Sequence, residues 1–223
     1  VATQFPDEQS SQGSSQIWTR ARRLLLHPAQ EWTAIERESI STTRIVLGWI
    51  IPFAAIGPVV HLLGRLLFGD NFLGFHYQPS LGMALSAAIT SYLLGLVAIG
   101  LVVVAARALA PQFGGSATAA QALKLVAFAM TAHWLVGIFS FFPGTRLLAF
   151  AGLYSCYLLF LGVPKLVKVP EEKTLAYTVA IILVAMAMQA SVGAIAQSVS
   201  SRFASPTGVV STTETTRFGV LNR

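Results

Sequence analysis

The side chains able to do chemistry are few in this chain, and they are scattered. His61 and His133 both fall inside long apolar stretches, where two imidazoles could hold a metal or a haem iron. Neither has a carboxylate or thiol at ligand spacing, so residue type favours hydrogen bonding between helices. His27 and His76 lie in polar surroundings and read as surface residues. Cys156, the single cysteine, sits among Tyr154, Ser155 and Tyr157 without a neighbouring base or cation, and reads as a packing residue. Ser86, Ser91, Ser140 and Ser191 lie in apolar runs without the sharp glycine turn that exposes a nucleophile. No glycine-rich phosphate loop precedes a Lys-Ser or Lys-Thr pair. Glu31, Glu36 and Glu38 form the one carboxylate grouping, which a solvated helix face accounts for. No catalytic set, metal or cofactor is expected, and the chain reads as a protein that is not an enzyme.

The surrounding composition explains this poverty. Of 223 residues, 54% are apolar and only 11% charged, with a mean hydropathy of +0.66. Soluble domains carry about a quarter of their residues as Asp, Glu, Lys and Arg. Disordered chains are richer in charge and poorer in aromatics, and one cysteine cannot staple a secreted scaffold. The chain is therefore expected to be an integral membrane protein. Its net charge of +6 suits anionic headgroups when the cations flank membrane spans, and nucleic acid is not an expected partner.

A bilayer core needs roughly 20 apolar residues of helix. Windows free of Asp, Glu, Lys and Arg occur near 45–64, 81–106, 125–142, 147–164 and 174–196. They predict an all-α integral membrane protein, a bundle of five transmembrane helices, with a membrane domain over 45–196. The continuous runs differ from the short alternating segments of a β-barrel, and no fixed-period repeat is visible. No short apolar region with a small-residue cleavage site precedes the first window, so a secretory leader is not expected. Lys and Arg divide ten to five in favour of the side holding the N-terminus, the 107–124 loop and the 165–173 loop. That bias predicts a cytoplasmic N-terminus and a C-terminus on the opposite side.

Outside the membrane domain, 1–16 reads as a flexible polar tail and 197–223 as a Ser- and Thr-rich one. Between them, 17–44 is an amphipathic helical segment on the cytoplasmic side. Ile17, Trp18, Ala21, Leu24 and Leu25 recur at helical spacing, and Pro28 divides this helix from the next. Trp18 and Trp32 are expected at headgroup depth, with Arg20, Arg22 and Arg23 on lipid phosphates. The alternative is packing against the protein's own loops.

Two further patterns bear on function. Ala87, Ser91 and Gly95 recur every four residues in the second window, as do Ala190 and Ala194 in the fifth. Such stripes let helices approach closely in lipid, within the bundle or against another membrane-protein subunit. Pro52 and Pro58 are expected helix breaks in the first window, able to free backbone carbonyls. They leave a small-solute carrier or channel as the second hypothesis, although the windows hold no acidic or basic residue to serve it.

Several segments resemble the Yip (Ypt-interacting protein) family, in its bacterial form. They are IPFAAIGPV at 51–59, LAPQFGG at 109–115, QALKLVAFAMTAHWLVGIF at 121–139 and GLYSCYLLFLGVPKLVKVPEEKTLAYT at 152–178. The arginine-rich lead-in with Pro28 and Trp32 is similar too. The resemblance, over about 18–196, implies a five-span bundle with a cytoplasmic N-terminus in a bacterial inner membrane. Eukaryotic relatives engage Rab-type GTPases and shape membranes; those partners do not carry over to so short an N-terminal region. The tail at 197–223 departs from the family's compact ending. Together these features predict a non-enzymatic protein that organises or scaffolds lipids and membrane proteins, as an accessory subunit of a larger complex.

Overall fold

The computed structural model describes residues 17–72, 75–138 and 152–202. The expectations for 1–16, for 203–223 and for the start of the 147–164 window fall outside these residues. Helix α1 covers 17–26, and α2, Pro28–Arg37, follows after the single residue His27. Proline fits there because the first turn of a helix has no use for its missing N–H.

The first window is one long rod with a local change of winding. Ser41 accepts a hydrogen bond from the Arg44 N–H to open α3, Thr42–Ile45. A π turn, Val46–Ile50, leads into α4, Ile51–Phe68. Pro52 would remove one ordinary helical bond. The wide turn absorbs this, with the Ile51 N–H donating to the Val46 carbonyl. Pro58 also lies within α4. Neither expected break ends the helix.

Beyond Gly69, which takes a left-handed φ of 67°, comes an antiparallel hairpin, β1 (Asp70–Phe72) with β2 (Phe75–Tyr77), pairing Asp70 with Tyr77. Apart from this short hairpin the described elements are helical, as the sequence predicts. Ser80 caps α5, Leu81–Leu109, which ends in a 3₁₀ turn, Ala110–Phe113. Thr118 and Gln121 form a reciprocal capping box for α6, Ala119–Ala129. A kink at Met130 separates α6 from α7, Thr131–Val136. The last helices are α8, Tyr154–Leu166, and α9, Glu171–Ser201.

Among the described residues four helical rods are long and apolar enough to cross a membrane: Thr42–Phe68, Leu81–Phe113, Ala119–Val136 and Glu171–Ser201. The described part of the 147–164 window is mostly α8, whose 13 residues rise only ~20 Å. The α6–α7 rod is the centre of the bundle: 56% of its apolar window is buried, against 22%, 22% and 17% for the others. Helix α9 continues through Ser201, past the expected end of its span near 196.

Candidate lipid and interface sites

The N-terminal pair α1–α2 is docked into one end of the bundle, not laid loosely over it. Ala21, Leu24, Trp32 and Ile35 are buried. Trp32 is 0% exposed, and its ring lies so close over Gly162 that a Cβ there would come within 2.8 Å of it and 2.6 Å of Leu125. Glycine is required at 162 because any side chain would displace that indole. The expectation that Trp32 sits among headgroups is corrected: its apolar face meets α6 and α8. An amphipathic helix carries the same pattern whether its partner is lipid or protein.

A polar lock holds the pair in place. Arg20 is ion-paired with Glu38, and its Nε lies 3.2 Å from Glu31 Oε1. That oxygen has a charge partner but no aligned hydrogen-bond donor among the described residues. Glu31 is 4% exposed, so it does not belong to the solvated face expected of it; Glu36 does lie on the exposed side. The Arg20 guanidinium also stands 5.8 Å from the Phe128 ring centre. It faces inward, and its expected phosphate contact is replaced by the carboxylates of Glu31 in α2 and Glu38 just beyond it.

Lys124 completes the lock. Its Nζ donates to the carbonyls of Ile35, at 3.1 Å, and Glu38, where the C-terminal carbonyls of α2 lack helical partners. The side chain is buried. In the sequence it stands as a flanking charge; in the fold it is a helix cap. Tyr154 adds a 2.9 Å bond from its hydroxyl to the Leu25 carbonyl. With the lock closed, Trp18, Arg22, Arg23 and Leu26 remain on the outside, and Trp18 also touches Phe53 at 5.8 Å between ring centres.

The glycine- and proline-containing turn sequences are joints of the same end. Gly114 takes a left-handed φ of 78°, and a Cβ on Gly115 would meet Val169 at 2.6 Å. The neighbouring Ser116 N–H donates to the Val167 carbonyl at 2.8 Å. Thus the LAPQFGG turn seats on the loop between α8 and α9. Tyr177 is fully buried, donates to the Ala106 carbonyl at 2.5 Å and meets Phe113 edge-on.

Toward the other end the described residues leave space between the helices. A cavity of about 810 Å³ lies between α4, α5, α7 and α9. Ala87, Ser91 and Gly95 line it, and a Cβ on Gly95 would meet nothing within 4 Å. The stripe expected to bring helices close thus borders this cavity. Ala190 and Ala194 are exposed on α9. His61 and His133 line the same cavity, and the His133 N–H donates to Ser155 Oγ at 2.8 Å. Among the described residues no group of three or more His, Cys, Asp or Glu could hold a metal ion. Ala54 and Pro58 also border the cavity; proline at 58 leaves the Ala54 carbonyl without its helical donor. Tyr92 donates to the Ile51 carbonyl at 3.1 Å on the same wall.

Long apolar rods around a polar-locked, close-packed end define a polytopic helical membrane protein. The Yip1 domain family model matches residues 22–193, a stretch that takes in α2 to most of α9. The chain belongs to that family. Neither a curated protein nor a solved structure gives a match.

Proposed function

We propose that this protein is a non-enzymatic membrane organiser that holds a fixed basic and aromatic edge against the headgroups of a bacterial inner membrane. The carrying observation is the lock itself. Arg20 with Glu31 and Glu38 holds α1 against α2, and Lys124 ties the pair to the bundle, so Trp18, Arg22, Arg23 and Leu26 face outward as one rigid strip. Fixing the strip in advance removes the ordering cost that a free amphipathic segment meets on binding. Arginines beside tryptophan suit anionic headgroups, and neighbouring membrane-protein subunits could be gathered on the exposed α9 face around Ala190 and Ala194. In this reading the chain crosses five times, with the 147–164 window as the fourth crossing, the N-terminus cytoplasmic and the C-terminus outside.

Reconstitution into vesicles of phosphatidylethanolamine and phosphatidylglycerol tests it. Phosphatidylglycerol is expected to enrich around the wild-type protein and to lose that enrichment in Arg22→Gln/Arg23→Gln; equal enrichment in both would sink the proposal. Side-specific labelling of tags at the two termini tests the crossing number, since an even number would leave both on one side.

A second reading, a small-solute carrier, draws on the cavity with His61 and His133 on its wall. Its inner end meets the packed cluster of Trp49, Phe53 and Phe128, so passage would require that cluster to open. Solute uptake into the same vesicles, absent from protein-free ones, is its test.

A further inference from the structure

The cavity has a direction. Helix α4 runs from the end carrying α1–α2 toward the hairpin end, α5 returns, and α9 runs outward again. At the level nearest the packed end the lining is Ala54, Ile99, Val102 and Met130, all apolar. Midway it becomes mixed, with His61, Ser91, Tyr92, His133 and Gln189. Toward the hairpin it holds Arg65 and Gln197 among Phe68, Ala84, Ala88 and Ala196. Arg65 lies in the last turn of α4 and Gln197 near the end of α9. The lining is therefore apolar next to the packed end and gains polar groups and a cation, set among small and apolar side chains, over ~20 Å of helix toward the hairpin.

The space is also built into the sequence. Gly57, Gly64, Gly95 and Gly193 all line the cavity, and a Cβ at any of them would meet nothing within 4 Å. Glycine costs a helix about 1 kcal/mol relative to alanine. Close packing repays that cost where a neighbour needs the room, as at Gly162, but no side chain of the described residues occupies the room here. A space of this size among the described residues is filled inside a membrane, because unfilled apolar walls forfeit their dispersion contacts. Its volume of about 810 Å³ falls within the roughly 300–1,000 Å³ range of ligand sites.

We infer that this cavity is a binding site for one phospholipid of the leaflet at the hairpin end. The acyl chain lies along the glycine and alanine walls toward Ala54 and Val102. The phosphate stands at the level of Arg65 and Gln197, with the glycerol and ester oxygens beside the polar middle. A free solute would not match this order of surfaces, because it has no long apolar part to cover the inner wall. A second copy of the chain would offer apolar side chains at every level and leave the histidines and glutamine facing them. The inference stands on the cavity alone and does not depend on the headgroup strip of α1–α2.

Photo-crosslinking of the full-length protein tests it. Ser91→p-benzoylphenylalanine is placed in vesicles of phosphatidylethanolamine and phosphatidylglycerol, irradiated, and weighed intact. An adduct of one phospholipid per chain is expected. Adding Gly95→Leu, whose Cβ enters open space among the described residues and whose larger side chain takes up part of the cavity, is expected to lower its yield about tenfold. The same probe at Leu93, on the lipid-exposed side of α5, should give an adduct that Gly95→Leu leaves unchanged. Absence of a lipid adduct at Ser91, or one insensitive to Gly95→Leu, overturns the inference. Capture of the protein's own chain or of a second copy overturns it as well, since helices would then fill the space.

Discussion

The two ends of this bundle use glycine and polar side chains for opposite purposes. At the end carrying α1–α2, Gly162 and Gly115 are glycine because a Cβ would collide with Trp32, Leu125 or Val169. At the hairpin end, Gly95 and Gly193 face open space. The polar groups divide likewise. Arg20, Glu31 and Lys124 are enclosed and matched, while His61 and Gln189 line a cavity. One end is organised as a folded core and the other as a receptacle, so the same residue types must be interpreted by what stands opposite them.

The contrast can be broken by substitutions graded from the closed end to the open one. The largest effect is expected from Arg20→Met, which leaves the buried Glu31 carboxylate uncompensated at a cost of about 3–4 kcal/mol. Thermal unfolding in detergent reads this loss. Arg20→Met/Glu31→Met should recover most of it, because the uncompensated charge is gone. Gly162→Ala comes next, at about 2–3 kcal/mol from overpacking against Trp32. It should also expose α1–α2 to protease, and a protected segment would show that the indole has room to move. Tyr177→Phe keeps the ring and removes one hydroxyl bond to Ala106, for a loss of about 1 kcal/mol in the same unfolding measurement. Gly95→Ala should stay within about 1 kcal/mol of wild type or stabilise, since α5 gains helix propensity there. A Gly95→Ala loss as large as that of Gly162→Ala would abolish the distinction between the two ends.

The sequence made the membrane character and four of the long rods legible through a simple signal, the absence of charge over helix-length windows. Lys124 escaped that logic. It stands in α6 beneath α2, and a window search treats any lysine as a boundary. Trp32 escaped because hydrophobic periodicity states that a face is covered without stating by what. The stripe of Ala87, Ser91 and Gly95 shows the same limit from the other side: small residues at helical spacing permit close approach without stating whether the room they leave is filled. The hairpin at 70–77 was hidden between two strong helical signals, in strands only three residues long. By contrast, the segments that resemble the Yip family proved to be joints, with Gly115 on the 167–169 loop and Gly162 beneath Trp32.

The bond from Tyr154 to Leu25 spans 129 positions of sequence, and that from Lys124 to Ile35 spans 89. A ribosome adding roughly 5–20 residues per second therefore delivers these two anchors on the order of ten seconds after α1 and α2 have been made. During that interval the pair has no bundle to enter, and its apolar side, with Trp32 and Ile35, lacks the α6 and α8 surfaces that cover it in the fold. The order of synthesis thus makes α1 and α2 early to be made and late to be enclosed: a wedge that closes the finished protein only once α6 and α8 arrive.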